Sequence, residues 1–168
     1  MQRLSADDLI RCHRLVPHPE GGFYRETYRA GEMISKGNLP DHYQGGERHY
    51  SSAIYYLLRE GEMSRLHRLV SDEVWHFYLG GPLTIAEIRD GGRVEEIVLG
   101  SHPALGQQQQ HVVRGGTWFG AYPHGGAEYS FVGCTVAPGF DFADFEIGDR
   151  QELIQEFPTA REVIERLT

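Results

Sequence analysis

Residues Gly61–Gly80 read GEMSRLHRLVSDEVWHFYLG, a glycine-bounded run of β-forming residues in which Asp72 and Glu73 lie between two histidines, His67 and His76. Two strands joined at Val70–Asp72 are predicted, which brings His67 and Glu73 close together across a short connection. The two-residue period of a strand sets Arg65, His67 and Leu69 on one face. It sets Glu73, Trp75, Phe77 and Leu79 on one face of the next strand. A carboxylate that shares a face with two aromatic rings is costly to bury, so Glu73 needs a hydrogen-bonding partner or a chemical role.

The pattern continues on both sides. Strands are expected at Phe23–Tyr28, Ser51–Leu58, Ser64–Leu69, Val74–Leu79, Leu83–Ile88, Val94–Leu99, Gln110–Arg114 and Glu128–Val136. Asp90-Gly91-Gly92 reads as a hairpin turn, Gly115–Gly126 as a glycine-rich separator, and Phe140–Ile147 as a weak strand. Ala30–Tyr50 is long and aperiodic, in the manner of a lid or an interface arm. Helices are confined to the ends. Ser5 with Asp8 caps one over Ala6–Arg14, and Asp149 with Glu152 and Thr159 with Glu162 start two more, separated at Pro158. Many short strands at close spacing predict an all-β sandwich or barrel in one domain over residues 1–168.

Composition narrows the function. The 168 residues carry a net charge of −8, and no cluster of Lys or Arg falls on any predicted element, which argues against nucleic acid and anionic membranes as partners. No segment approaches the roughly 20 apolar residues of a membrane span, and the first ten residues lack an apolar signal core. Two cysteines far apart, Cys12 and Cys134, make no disulfide framework. A cytoplasmic location is the expectation.

The spacing of Gly61, His67, Glu73 and Gly80 resembles the first motif of the cupin superfamily, G-x5-H-x-H-x3-E-x6-G, with Leu69 at the second histidine. The strings HPEGGFYRETY (His18–Tyr28), SDEVWHF (Ser71–Phe77) and GCTVAPGFDFADFE (Gly133–Glu146) are similar to the cupin type 5 group. That group is similar in fold to the dTDP-4-keto-6-deoxyhexose 3,5-epimerases. The resemblance implies a double-stranded β-helix, a jelly-roll cupin barrel with short N- and C-terminal helices, pairing as a homodimer through its sheets. In the second cupin motif, Arg114 stands for the proline, Phe119 for the ligand histidine and Pro123 for the asparagine. The four cupin metal positions therefore read His67, Leu69, Glu73 and Phe119, and no metal or other cofactor is expected. A divalent metal, if bound, would need His67 and Glu73 joined by His111, His124 or His76.

The expected activity is binding of a small carbohydrate- or nucleotide-like molecule in the barrel, with metal-independent isomerase or epimerase chemistry. His67 is the candidate base, Glu73 its partner, and Tyr129 the candidate acid ahead of Tyr24 and Tyr55. Trp75, Phe77, Trp118, Phe119 and Phe131 are candidates to line a pocket for a ring-shaped ligand, with Glu20 and Arg25 reaching its mouth. Two alternatives stand beside this: a ligand-binding or sensor cupin without turnover, and a metal-dependent cupin enzyme with a rebuilt ligand set.

Overall fold

The computed structural model describes residues 4–168, and its strands are antiparallel throughout the named ladders. One sheet has six strands: β1 (Val16–Pro17), β2 (Phe23–Arg29), β5 (Ser52–Arg59), β12 (Tyr129–Ala137), β7 (Asp72–Gly80) and β10 (Gln110–Val113), neighbours in that order. The facing sheet has five: β13 (Phe145–Ile147), β6 (Ser64–Leu69), β11 (Trp118–Pro123), β8 (Leu83–Arg89) and β9 (Arg93–Leu99). A small ladder of β3 (Met33–Ile34) and β4 (Arg48–His49) lies within the segment expected to be a loop. The jelly-roll barrel expected of the chain is thus formed.

The alternating inward residues of the two sheets make the barrel core. Tyr56, Leu58, Trp75 and Val132 from one sheet meet Leu83, Ile85, Leu99 and Phe119 from the other, all buried. The terminal helices cover part of each outer face. α1 (Ala6–His13) sets Ala6 and Leu9 on Leu57, Tyr129 and Phe131. α2 (Arg150–Glu156) and α3 (Arg161–Leu167) set Leu153, Ile164 and Leu167 on Leu66, Ala86 and Trp118. Each such aliphatic side chain contributes about 1.5–3 kcal/mol by leaving water, enough to fix which face of the sheet each helix takes.

The helix starts follow their caps. Ser5 and Asp8 form the reciprocal capping box, and the Asp149 carboxylate accepts from the amides of Gln151 and Glu152. Thr159 caps nothing: its hydroxyl donates to Gly92 O, and α3 begins after Ala160 without a side-chain cap. The stretch predicted as a glycine-rich separator contains β11, which is the middle strand of its sheet. Gly120 is the reason a strand fits there, since a Cβ at that position would stand 2.7 Å from Ser64 O on the adjoining strand.

Candidate functional site

His67 and Glu73 enter the barrel from opposite walls. β6 of the five-stranded sheet carries His67, and β7 of the six-stranded sheet carries Glu73. A register shift between β11 and β6 bulges the latter, so that Ser64 and His67 are both buried while Arg65 is exposed. Arg65 therefore does not share the inner face expected of it, and its guanidinium donates to Pro19 O outside.

The missing partner of His67 comes from the turn at residues 18–22. Gly21 (φ 116°) and Gly22 (φ 66°) hold left-handed conformations and pack backbone against backbone. A Cβ at Gly21 would fall 2.1 Å from Met63 O, and one at Gly22 would fall 2.7 Å from Leu57 O. This close approach turns the Glu20 carboxyl into the barrel. Its Oε1 accepts from Ser64 Oγ at 2.9 Å, and its Oε2 lies 3.3 Å from His67 Nε2 and 3.6 Å from His18 Nδ1. His67 Nδ1 is 2.7 Å from Arg65 O, an acceptor only, so Nδ1 carries a proton and Nε2 faces Glu20.

Glu73 is buried with Oε2 accepting from Trp75 Nε1 at 2.9 Å. Burial, reinforced by the charge of Glu20, raises its carboxyl to about 8, so at neutral pH it is a neutral acid and a proton donor. Cys134 beside it is pushed up by burial and then by Glu73, and is a thiol rather than a nucleophile. Burial also lowers His18, against the opposing pull of Glu20.

These groups share a cavity of about 380 Å³. His18, Glu20, Tyr24, His67, Glu73 and Cys134 form its depth, while Phe140, Phe142, Phe145 and Met33 contribute its apolar side. Arg48, from β4, seals one flank. It is bound bidentately to Asp144 (2.6 and 2.7 Å) and also donates to the carbonyls of Gln44, Gly46 and Glu47. Part of the Ala30–Tyr50 segment is thereby a pinned wall, further tied by Tyr43 Oη to Ser71 Oγ at 3.0 Å.

Of the other residues expected at the site, several lie elsewhere. Tyr129 faces α1, donating its hydroxyl to Leu4 O, and Phe131 packs beside it, because strand alternation turns both outward while Val132 and Cys134 point in. Trp118 lies under α2 and α3. Trp75, Phe77 and Phe119 belong to the barrel core rather than to the cavity lining, although the Phe119 ring lies tilted against His67 with centroids 4.2 Å apart. Arg25, on β2 between the inward Tyr24 and Glu26, does not line the cavity. Tyr24 does line it, and Tyr55 packs outside against His13 and Phe131. His18, Cys134 and the three phenylalanines were not expected at the site; the density of aromatic and acidic residues in Phe140–Glu146 was the one visible signal, and for the phenylalanines alone.

The histidines considered as substitute metal ligands are dispersed. His76 bonds Thr135 Oγ1 and Gln110 on the outer face, His111 bonds Glu87, and His124 bonds Thr84. Leu69 and Phe119 present hydrocarbon where cupin metal sites present imidazole, and His18 Nδ1 already accepts from the Glu20 amide at 3.3 Å. Among the described residues no group of three His, Cys, Asp or Glu side chains is disposed to hold a metal ion. The donor set does not fit the metal that the fold would suggest. Among these residues, too, no helix is long and apolar enough to cross a membrane.

Comparison with known proteins agrees with this architecture. The chain resembles protein SO0799 from Shewanella oneidensis, with a TM-score of 0.87 and 39% identity covering 100% of this chain and 98% of that one. It is similar to a hypothetical protein from Leishmania major, with a TM-score of 0.86 and 32% identity over 98% and 99% of the two chains. It is 26% identical over 148 residues to the uncharacterised protein YML079W of Saccharomyces cerevisiae, covering 83% of this chain and 73% of that one. Oxalate decarboxylase from Bacillus subtilis shares the fold alone, at a TM-score of 0.54 and 14% identity over 90% of this chain and 37% of that one. Residues 7–148 match the family described as Cupin superfamily (DUF985), and the chain belongs to that family.

Proposed function

We propose that the barrel binds a carbohydrate-like carbonyl compound and catalyses proton transfer next to the carbonyl, as a metal-independent isomerase or epimerase. The observation that carries this reading is the placing of two groups across one cavity: a neutral Glu73 carboxyl on one sheet and the His67 imidazole with its Glu20 partner on the other. Enolisation needs a base at the carbon and an acid at the oxygen, held in fixed relation. His67 Nε2 takes the proton as the C–H bond breaks, and Glu20 stabilises the imidazolium formed. The Glu73 O–H donates to the carbonyl oxygen, and an enol results. Reversal, with the proton returned to the neighbouring carbon or to the other face, completes the isomerisation and restores both groups. Glu73 thus takes the acid role first considered for Tyr129.

A second part of the reading concerns assembly: the chain pairs with a copy of itself through the outer face of the six-stranded sheet. Exposed Tyr28, Tyr78, Leu79 and Val112 support this.

The chemistry is tested by incubating the protein in D2O with a panel of uncharged aldoses, ketoses and keto-sugars, following loss of the proton next to the carbonyl by NMR. At least one member should exchange with wild type and fail to exchange with His67→Ala. Binding without exchange across the panel would leave a non-catalytic binding protein, and exchange that persists in His67→Ala would remove His67 from the base role.

A further inference from the structure

The charges around the cavity constrain what can enter it. Two arginines line it, and each is paired with a carboxylate. All five N–H groups of Arg48 are directed at Asp144 and three backbone carbonyls. Arg29 is bound to both oxygens of Glu26 (2.6–3.1 Å) and donates its remaining Nη1 to Phe140 O at 3.0 Å. No lysine lines the cavity, the two deep histidines are turned toward Glu20, and the third lining histidine, His49, is bonded through Nδ1 to Ala30 O. Against these stand the lining carboxyls of Glu20, Glu26, Glu47, Glu73 and Asp141, of which Glu47 and Asp141 sit exposed at the mouth. A phosphate, pyrophosphate or carboxylate would lose its hydration there and find no guanidinium or ammonium that is not already paired with a carboxylate.

The mouth instead offers rings. Phe140, Phe142 and Phe145 pack edge to face at centroid distances of 5.0–6.1 Å, and Phe142 remains 58% exposed. An exposed phenylalanine buttressed by two others at a cavity entrance is a stacking platform for a flat apolar face.

We infer that the ligand is an uncharged molecule with one flat apolar face, such as a free sugar or an uncharged aromatic carbonyl compound, and that phosphorylated, nucleotide-linked and carboxylate-bearing relatives are rejected. The inference rests on the proposed site and names its substrate class. It parts this chain from the nucleotide-sugar ligands that its resemblance to the deoxyhexose epimerases would suggest.

Three probes that share a phenyl ring and differ in charge separate the outcomes: benzyl alcohol, benzoate and phenyl phosphate, titrated at neutral pH and followed by backbone amide NMR shifts. Benzyl alcohol should shift amides of residues 139–145 and bind at least about fivefold more tightly than either anion, as one or two unpaired carboxylates at the mouth would impose. Glu47→Lys should narrow that ratio, and Phe142→Ala should weaken benzyl alcohol binding. Equal or tighter binding of benzoate or phenyl phosphate overturns the inference, as does a ratio unmoved by Glu47→Lys or the absence of binding by all three. Glu73→Gln distinguishes this from failure of the proton-transfer reading. It removes the acid while leaving the mouth intact, so the probe ratio should persist even where exchange is lost.

Discussion

His67 takes Glu20, not Glu73, as its carboxylate partner, with Nε2 and Oε2 3.3 Å apart. The consequence is a division of labour between two buried carboxyls. Glu20 has the Ser64 hydroxyl and a histidine to compensate its charge, whereas Glu73 has the Trp75 indole and hydrocarbon around it. The surroundings of Glu73 keep it a neutral proton donor facing the His67 imidazole, and such a facing donor and base are what an acid–base pair requires.

Glu73 should make folding stability depend on pH. Its carboxyl titrates at about 8 in the folded protein, against an ordinary value of 4.5. Between these values the folded state keeps a proton that the unfolded chain has released. The stabilising contribution is therefore complete below pH 4.5, falls as pH rises, and is exhausted above 8. His18, lowered by burial, acts in the opposite direction near neutrality, so the useful quantity is wild type minus Glu73→Gln. In chemical denaturation that difference should decline by at most about 5 kcal/mol between roughly pH 5 and 8. A difference that does not change with pH would show that Glu73 is ionised in the folded protein.

Arg48 should act as the latch of the segment before β5. Arg48 and Asp144 are 3% and 6% exposed, and replacing Arg48 by Met leaves a buried carboxylate without its guanidinium. A loss of about 3–5 kcal/mol is expected, with faster amide exchange at residues 33–49. The double variant Arg48→Met/Asp144→Leu should recover part of the loss. Unchanged exchange in the single variant would mean that Tyr43 and the β3–β4 ladder hold the wall without it.

The two-sheet barrel and the inward placing of Glu73 were legible because both rest on local periodicity. Each β-run of Gly61–Gly80 alternates as its sequence dictates until a bulge intervenes. At β6 the bulge sets Ser64 inside and Arg65 out, and a second register shift, opposite Phe131 and Val132, leaves Leu79 45% exposed. Bulges depend on what the neighbouring strand presents, which no single strand reveals. Glu20 was a candidate only for the barrel mouth, because its depth comes from glycine backbone packed on Met63 and Leu57, a long-range contact. Tyr129 went astray by one step of alternation: its neighbour Ser130 and the inward Val132 fix it against α1.

A second buried ion pair, remote from the cavity lining, should matter for stability alone. Glu87 is fully buried on β8 and holds His111 of β10 and, at 2.9 Å, Arg89 Nη1, so it joins the edge strand of one sheet to the other sheet. His111→Leu should cost on the order of 2–4 kcal/mol, because Glu87 stays buried with one partner fewer. Replacing Glu87 by Gln in that background should return part of it. Binding of benzyl alcohol should be unaltered in both. A shift in that affinity would show that the pair communicates with the cavity after all.

Self-association should depend on Tyr78. Its ring lies on the outer face of the six-stranded sheet, 5.9 Å from both Tyr55 and Phe131 and 45% exposed, over Gly133, where a Cβ would meet its hydroxyl at 2.4 Å. The glycine keeps the ring flat on the sheet, and α1 leaves that part of the face uncovered. A tyrosine held rigid with its edge in water is the kind of residue that carries binding energy between protein surfaces, since it has little freedom left to lose. Sedimentation equilibrium should therefore find a dimer. Tyr78→Asp, which sets a charge at the same point on both copies, should weaken it by roughly 30-fold or more. The substitution lies on the far side of the sheet from the cavity, so benzyl alcohol binding reports whether the barrel itself is intact. A wild-type protein that stays monomeric at tens of micromolar, or a Tyr78→Asp dimer of unchanged affinity, would move the partner surface away from this face.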